Sequence, residues 1–583
     1  MKKLLSVLFL LSFTLASVYA QDIQVKGTVI SGADNEPLPG VNVVVKGNAT
    51  TGTITGIDGE FALSVPSDAI LSISYIGFKS LEIPVNGKRE LKIVLQEDSE
   101  ALDEVVVIGY GTQKKSVVTA SIARVSSEDL ANTAPVRMDN ALKGLAAGVT
   151  VTSSSGQPGA AAQIRVRGVG TIRTENGAAD PLYIVDGFPV SSISDIAPTD
   201  IQSVDVLKDA SSTAIYGARG ANGVIIITTK KAKEGKTQVS INGSVGWKKV
   251  TDRVSLTNAE QFKMLYNEQR MNQGGDPYDY TVWNADTDWQ DEMFQTGFLT
   301  NNTVSITASG DRSKFYLGLG YVMEEGSIKS EKLNKFTVNL HSEHKVTDFL
   351  RFGFQVNGVR ALYPDAKGVG SALKAAPIAP VYDTESGLLH TLPDFQRAQV
   401  WNPMIEPVLR GAHNKSANYR MAGNIYGELD LMKNLTFKAT FSLDYASSQS
   451  RSYSPLIYVY NPDVEGGKER LTDKESISQS KSTSMAAQSD YVLTYINQFG
   501  DHGLTLTAGL TTNYNEYSDL SGGRSQLPGY GVSIGEDIDK WWITMIDDAT
   551  SATNGGSQYK RFTMSYLFRA LYNYKNRYLL NAS

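Results

Sequence analysis

The chain is 583 residues long, contains no cysteine and carries a formal net charge of −6. That length exceeds one ordinary domain, the missing thiols exclude disulfide staples and thiolate chemistry, and the charge balance excludes a broad basic surface for nucleic acid. Glycine is plentiful at 52 residues, and the 28 tyrosines outnumber phenylalanine and tryptophan, which suits a chain made mostly of strands.

Residues 1–20, MKKLLSVLFLLSFTLASVYA, read as a secretory signal. Lys2 and Lys3 form the basic end, Leu4 to Leu15 the apolar stretch, and Val18-Tyr19-Ala20 a small-residue cleavage site. The apolar stretch is shorter than the roughly 20 residues a spanning helix needs. No later segment is an uninterrupted apolar run of that length, so a helical membrane protein is not expected.

Residues 22–97 contain short strand patterns: QVKGTVI, GVNVVVKG, EFALSV, ILSISYIG and LKIVLQ. Val41, Val43 and Val45 mark one face of a strand by alternation, as do Phe61, Leu63 and Val65, and Asp58-Gly59 signals a hairpin turn between two strands. A small β-sandwich is expected. Residues 98–115 form a linker holding an isolated β-branched run, Val105 to Ile108, with no matching strand expected nearby.

Residues 116–232 mix helix and strand. RMDNALKGLAAG reads as a short helix ending near Gly144 or Gly148, and GVTVTS, AQIRVRG, PLYIVDG and QSVDVLKD as strands. ASSTAIYG then reads as a short helix, GARGANG as a glycine loop and VIIITTKK as a buried strand. A phosphate loop runs strand, glycine loop, helix. Here the glycines follow a helix and lead into a strand, so Gly217 reads as a helix stop and Gly220 and Gly223 as tight-turn residues.

From residue 236 to the end the pattern is alternating strands. In LTFKATFSLDY, Leu435, Phe437, Ala439, Phe441, Leu443 and Tyr445 share one face, and Thr436, Lys438, Thr440, Ser442 and Asp444 the other. About eleven such segments occur, most expected near the ten or so residues of a tilted membrane strand. Their connections alternate short (310–313, 346–348, 432–434, 498–503, 575–576) and long (250–299, 363–415, 451–480, 518–559), with a shorter one near 324–333. Short periplasmic turns and longer external loops mark an outer-membrane barrel.

No catalytic or metal site emerges. His341 and His344 are three apart in a strand and point to opposite faces. The acidic cluster DTDWQDE (286–292) lacks the glycine and distal glutamate of a calcium loop, and Thr287 with Gln290 reads as a helix capping box. No enzyme activity, metal or cofactor is expected.

With these segments quoted, the chain resembles a SusC/RagA-type TonB-dependent outer-membrane transporter of the Bacteroidetes. VKGTVISGADNEPLPGVNVVVKG with TGTITGIDGEFALSVP resembles that family's carboxypeptidase-regulatory-like extension, and LDEVVVIGYGTQKK its TonB-box stretch. IRVRG, PLYIVDGFPV and VDVLKDASSTAIYGARGANGVIIITTKK resemble its plug, and DTDWQDEMFQTG and LKAAPIAPVYD its barrel loops. The resemblance implies TonB binding through Leu102, Asp103, Glu104, Val105, Val106, Val107, Ile108 and Gly109, offered as an added strand to a sheet edge. It implies structural roles in the plug for Arg165, Arg167, Gly168, Asp186, Gly187, Tyr216, Gly217, Arg219, Gly220 and Gly223. Arg165, Arg167 and Arg219 are read either as partners of acidic lumen residues or as plug structure and solvated charge.

The fold implied is mainly β: an N-terminal β-sandwich, a mixed α/β plug, and about half of a 22-stranded antiparallel transmembrane barrel, the chain ending within a strand. The implied setting is the cell outer membrane with the N-terminal region periplasmic. The implied partners are TonB with its ExbB/ExbD energy supply, a SusD-like lipoprotein, outer-membrane lipid and a glycan or peptide cargo, but no nucleic acid. Loop aromatics, among them Tyr363, Tyr382, Trp401, Tyr458, Tyr460, Trp541 and Trp542, are read either as stacking on sugar or contacting the lipoprotein, or as an aromatic girdle or loop packing. A ferric-siderophore receptor with a signalling role and a surface structural or adhesion barrel are the alternative readings.

Overall fold

The structure is a computed structural model. It describes residues 22–583 except 33–35, 47, 76–77, 97–104, 108–111, 115–120, 133–136, 154, 173–176, 195, 233–236, 365–367, 411–412, 533 and 576. The leader read over residues 1–20 lies outside the described residues. The chain divides into two compact units, residues 1–106 with 112–118, and residues 107–111 with 119–583.

In the first unit, Asp22–Ser31 lies between Glu60–Pro66, antiparallel to it, and Glu90–Leu95, parallel to it. A second sheet has the order Asn48–Ile54, Asn42–Val45, Ile70–Ser74, Leu81–Pro84. Val25, Val29, Val41, Val43, Phe61, Val65, Leu71 and Ile73 form one buried cluster, each contributing roughly 1.5–3 kcal/mol on burial. The alternation expected for Val41 and Val43 points inward as read. Asp58-Gly59 is not a hairpin: the strands on either side belong to different sheets, so the turn carries the chain across the sandwich. Gly59 has φ 69°, and a Cβ there would lie 2.5 Å from the Val29 carbonyl oxygen, so close approach as well as turn geometry requires glycine.

The second unit begins with the plug. Its five-stranded sheet has the order Ile122–Ser126, Ile201–Leu207, Val224–Thr229, Leu182–Val185, Phe188–Val190. A separate ribbon pairs Val149–Thr152 with Gln163–Val166. The run read as a buried strand, Val224–Thr229, is the middle of the sheet. Ile225 and Ile227 enter one apolar cluster, Val224 and Ile226 another on the opposite face. That explains its continuous apolar character. The helix Ala210–Thr213 continues into a tighter turn, Ala214–Gly220, which Gly217 breaks with φ 59° and ψ −146°.

Beyond the plug, eleven antiparallel strands pair in chain order from Gln238–Lys248 to Tyr578–Ala582. These two strands are the edges of the sheet, so it is an unclosed barrel wall. The short connections all fall at one end and the long ones at the other. The side-chain pattern is inside out relative to a soluble sheet. Phe441 and Tyr445 are exposed, while Ser442 and Asp444 between them are buried. An apolar outer face suits lipid, and a polar inner face suits a filled lumen.

Strand length departs from expectation. The nine inner strands run from 13 to 25 residues rather than about ten. At about 3.3 Å per residue the longest far exceed the apolar band. The reason is legible in Glu475–Phe499. Its second half carries outward Tyr491 and Leu493, whereas its first half, ESISQSKSTS, is polar and continues the ladder past the lipid. Among the described residues no helix is long and apolar enough to cross a membrane, which says nothing of strands.

The long connections are not loose. Residues from three of them, including Trp283, Trp289, Ile378, Leu389, Met404 and Val459, share a buried cluster of their own. They form a cap at the long-loop end of the wall.

Candidate functional site

Of the stretch read as a TonB contact, Val105, Val106 and Val107 form a strand, paired with Thr112–Lys114 in a two-stranded sheet. The expectation that no neighbouring strand would match is therefore corrected. β-Branched residues pair wherever an extended segment lies within hairpin reach, and four residues separate the two strands. Leu102, Asp103, Glu104, Ile108 and Gly109 lie outside the described residues. A three-residue pairing involves few hydrogen bonds, each adding about 0.5–1.5 kcal/mol net, so its release costs little.

Within the plug, Asp186 and Gly187 form a two-residue turn with φ 47° and 91° that pairs Val185 with Phe188. Positive φ at both positions is what a type I′ hairpin needs. The Asp186 carboxylate accepts from the Thr229 amide (3.0 Å) and hydroxyl (2.9 Å) and also from Gln355 of the wall. Arg167, with φ 56°, and Gly168, with φ 91°, turn the chain out of the ribbon, and the Arg167 amide donates to Gly148 O at 2.8 Å. Gly220 O accepts from the Gly223 amide at 3.0 Å, closing a tight turn, and Tyr216 packs into the cluster beneath it.

The arginines differ. Arg165 pairs with Asp180 inside the plug, not with a lumen acid, because the ribbon turns its side chain toward the loop before Leu182. Arg167 and Arg219 are exposed, and no ion pair is seen for either among the described residues.

Asp209 caps the helix Ala210–Thr213. Its carboxylate accepts from the Ser212 amide (2.9 Å), the Ser211 hydroxyl (2.7 Å) and the Ser121 amide (2.6 Å). Burial alone would raise this carboxyl, but these hydrogen bonds outweigh it and hold it below its ordinary value.

The plug meets the inner face of the wall through polar contacts. Tyr316 donates to Asp200 Oδ1 at 2.7 Å. Arg420 grips Asp444 with two bonds, 2.8 and 2.7 Å, and donates a third to the Ser192 carbonyl at 2.8 Å. Lys335 reaches the Ser194 carbonyl at 3.3 Å, and Gln355 reaches Thr229 Oγ1 at 3.1 Å. Tyr316, His341 and Gln355 stand side by side on three neighbouring strands, and His344 is exposed. The cavity between plug and wall, bordered by Phe188, Ile196 and Arg420, is only about 40 Å³. That is room for a few waters. Burial pushes the Asp200 carboxyl above its ordinary value.

Sequence reading missed Asp200, Tyr316, Gln355, Arg420 and Asp444. Strand alternation marks the wall residues as inward-facing, but it carries no information on which plug atom each one meets.

In the cap, Asp288 rather than Thr287 caps the helix Trp289–Met293, accepting from the Gln290 and Asp291 amides. Thr287 instead donates to Ala379 O at 2.7 Å, and the Gln290 side chain donates to Val254 O at 2.7 Å. Both side chains serve loop-to-loop bonds, which is why the expected capping box does not form. One does form at Asn258 and Gln261. Trp541 is buried against Tyr453 and His413, and a Cβ at Gly159 of the plug would lie 2.8 Å from the Tyr363 ring. Lys468 lies over Tyr458, Arg451 over Trp542, and Tyr460 packs on His390. Tyr382, Trp401 and Trp542 remain substantially exposed.

An outward-apolar antiparallel wall whose polar inner face is filled by a separate α/β domain is the architecture of a plugged outer-membrane transporter. Residues 114–224 match the TonB-dependent receptor plug domain, and residues 25–107 the CarboxypepD_reg-like domain. The chain is 35% identical over 527 residues to TonB-dependent receptor P3 of Formosa agariphila, covering 87% of this chain and 50% of that protein. It is 37% identical over 399 residues to TonB-dependent receptor SusC of Bacteroides thetaiotaomicron, covering 66% of this chain and 39% of that one. Its fold is shared with the RagAB peptide importer in the closed-closed state, with a TM-score of 0.68 at 21% identity over 78% of this chain and 54% of that one.

The chain belongs to the SusC/RagA-type TonB-dependent outer-membrane receptors, matching their plug and N-terminal barrel region. That is a family of outer-membrane transporters, not of catalytic enzymes, and its plug lies on the periplasmic side. The chain spans about half the length of the curated relatives P3 and P39 that it matches.

Proposed function

We propose that the complete receptor imports a large nutrient, an oligosaccharide or an oligopeptide, across the outer membrane. TonB, energised by ExbB/ExbD, pairs with the stretch Leu102–Gly109 and draws on the plug. A SusD-like lipoprotein delivers the cargo at the outer face. In this reading residues 1–20 are the exported leader, 22–97 the regulatory-like sandwich, 98–115 the TonB-box linker and 116–232 the plug. Residues 236–583 are about half of a 22-stranded barrel.

The observation that carries the reading is how the plug is held. Its apolar clusters contain only plug residues among those described, and the bonds seen between it and the wall are polar. Such a domain can shift as a body without opening a shared core. Nutrient import is favoured over siderophore uptake by the extent of similarity to SusC and to the RagAB importer.

The test is Val106→Pro in the complete receptor. Proline removes the backbone donor that strand addition uses. Uptake of the cargo should be lost while the receptor keeps its heat-modifiable mobility on gels. Uptake at the wild-type rate would sink the proposal.

A further inference from the structure

The outer face of the wall changes character toward the long-loop end. On Asn414–Met432 the outward series runs Ile425, Met421, Tyr419 and then Lys415. On Leu435–Ser454 it runs Phe441, Tyr445, Gln449 and then Arg451. On Glu475–Phe499 it runs Leu493, Tyr491 and, beyond an uncharged stretch, Lys481. The apolar and aromatic members are exposed, as a lipid-facing band requires. The three cations stand past that band, at the external end.

Their placement is costly as it stands. Lys415 lies directly opposite Arg451 in the ladder, and Lys481 lies opposite Gln449, one outward position from Arg451. Like charges directly opposite on a sheet destabilise it. No ion pair is seen for any of the three among the described residues, and Lys415 and Lys481 are exposed.

The connection after His502–Gln526 folds down over this same outer face. Its Ile534, Trp541 and Ile546 pack with Tyr453 and Ile477, outward residues further along two of these strands. The Ile543 amide donates to Gln479 Oε1 at 3.2 Å, and Arg524 donates to Ile546 O at 3.0 Å. The shelf so built presents Trp542, 51% exposed, with the Arg451 guanidinium carbon 4.7 Å from its ring centre. Arg451 donates to Ile538 O at 3.4 Å, which uses one of a guanidinium's five donors. Carboxylates of the shelf have partners of their own. Asp537 accepts from the Asp539 amide (3.1 Å), Asp548 from the Thr550 amide (3.0 Å), and Glu536 lies 3.9 Å from His413.

We propose that Lys415, Arg451 and Lys481, with Trp542 beside Arg451, bind the phosphate of a lipid head group in the outer leaflet. An anion seated among the three cations turns their repulsion into attraction. A guanidinium presents paired donors that match phosphate, and a lysine supplies a point charge. An exposed tryptophan beside them suits the head-group layer, where amphipathic rings concentrate. Just past the apolar band is the depth at which lipid phosphates lie. The site is on the outside of the wall, away from the lumen, so the imported cargo is not its occupant. The proposal does not depend on the import reading.

The test uses the complete receptor, purified from outer membranes in detergent and stripped of lipid, titrated with diphosphoryl lipid A and followed by native mass spectrometry. Lipid A should bind, and more weakly as salt is raised. Combined Lys415→Gln, Arg451→Gln and Lys481→Gln should weaken binding about tenfold or more. Lys575→Gln, at the opposite end of the wall, should leave it unchanged. Lipid A freed of its phosphates should bind wild type about as poorly as lipid A binds the triple variant. Retained heat-modifiable mobility establishes that the variants fold. Lys415→Gln alone should raise the thermal midpoint of the lipid-free receptor, by removing a like-charge pair, and should shrink the further rise that lipid A gives.

Absence of lipid A binding overturns the assignment, as does binding insensitive to the triple variant or to loss of the phosphates. Displacement of lipid A by an equal concentration of inorganic phosphate also overturns it, because the site would then belong to a free anion.

Discussion

The Tyr316 hydroxyl, on the inner face of the wall, donates a 2.7 Å hydrogen bond to Asp200 Oδ1 at the edge of the plug, and both residues are buried. Tyr316→Phe removes the donor and leaves a buried acceptor under-satisfied, at a cost of about 1–3 kcal/mol. The plug should then become more accessible to protease in the assembled receptor. Protection equal to wild type would mean that this bond does not hold the plug.

Asp200 also sets a pH dependence. Its folded pKa is raised above 3.8 by burial. The stability linked to it is complete below that ordinary value and is lost as pH rises through the folded pKa. Asp200→Asn keeps an acceptor for Tyr316 and cannot ionise. The variant should therefore gain on wild type as pH increases, measured as the difference in denaturation midpoint across the acid range.

Asp209 has the opposite sign. Its carboxyl is held below 3.8, so its contribution is present above that value and lost as pH falls through the folded pKa. Asp209→Ala removes a helix cap and should cost about 1 kcal/mol at neutral pH. The gap between variant and wild type should close in acid. A gap that persists there would show that the loss is steric rather than electrostatic.

Arg420 and Asp444 form a two-bond pair whose side chains are only 8% and 6% exposed. Arg420→Ala leaves a buried carboxylate without its cation, at a cost of about 3–5 kcal/mol, and also strips the donor from the Ser192 carbonyl. Replacing both partners by apolar residues should cost less than the single change. A double-mutant cycle on the thermal midpoint of the receptor measures this coupling.

Gly223 and Gly144 both have positive φ, 90° and 77°. A Cβ at Gly144 meets nothing within 4 Å, whereas one at Gly223 lies 2.9 Å from the Val166 side chain. Gly144→Ala should cost about 1–2 kcal/mol of backbone strain. Gly223→Ala should cost distinctly more, because it also separates the central plug strand from the ribbon. Equal losses in chemical denaturation would remove the packing argument.

The wall was legible because its determinants are local. Alternation in Leu435–Tyr445 and the rhythm of short and long connections both arise from a two-residue period and a fixed membrane thickness, and neither depends on what lies across the lumen. The plug run from Val204 to Thr229 was legible for a similar reason. A continuous apolar run suits a strand buried on both faces, and a glycine at the end of a short helical pattern suits a stop, which Gly217 makes with φ 59°. Asp58-Gly59 misled because a turn signal specifies a reversal, not which sheet receives the next strand.

The sandwich, the plug strands and the outward-apolar wall are written in local periodicity and turn chemistry, which act within a few residues. That Asp200 meets Tyr316, that Arg165 turns to Asp180, and that three separate loops share one core around Trp283 and Trp289 emerges only when the chain folds. These are contacts between residues far apart in the chain. Their free energy depends on the distance and burial that folding creates, which no local pattern encodes.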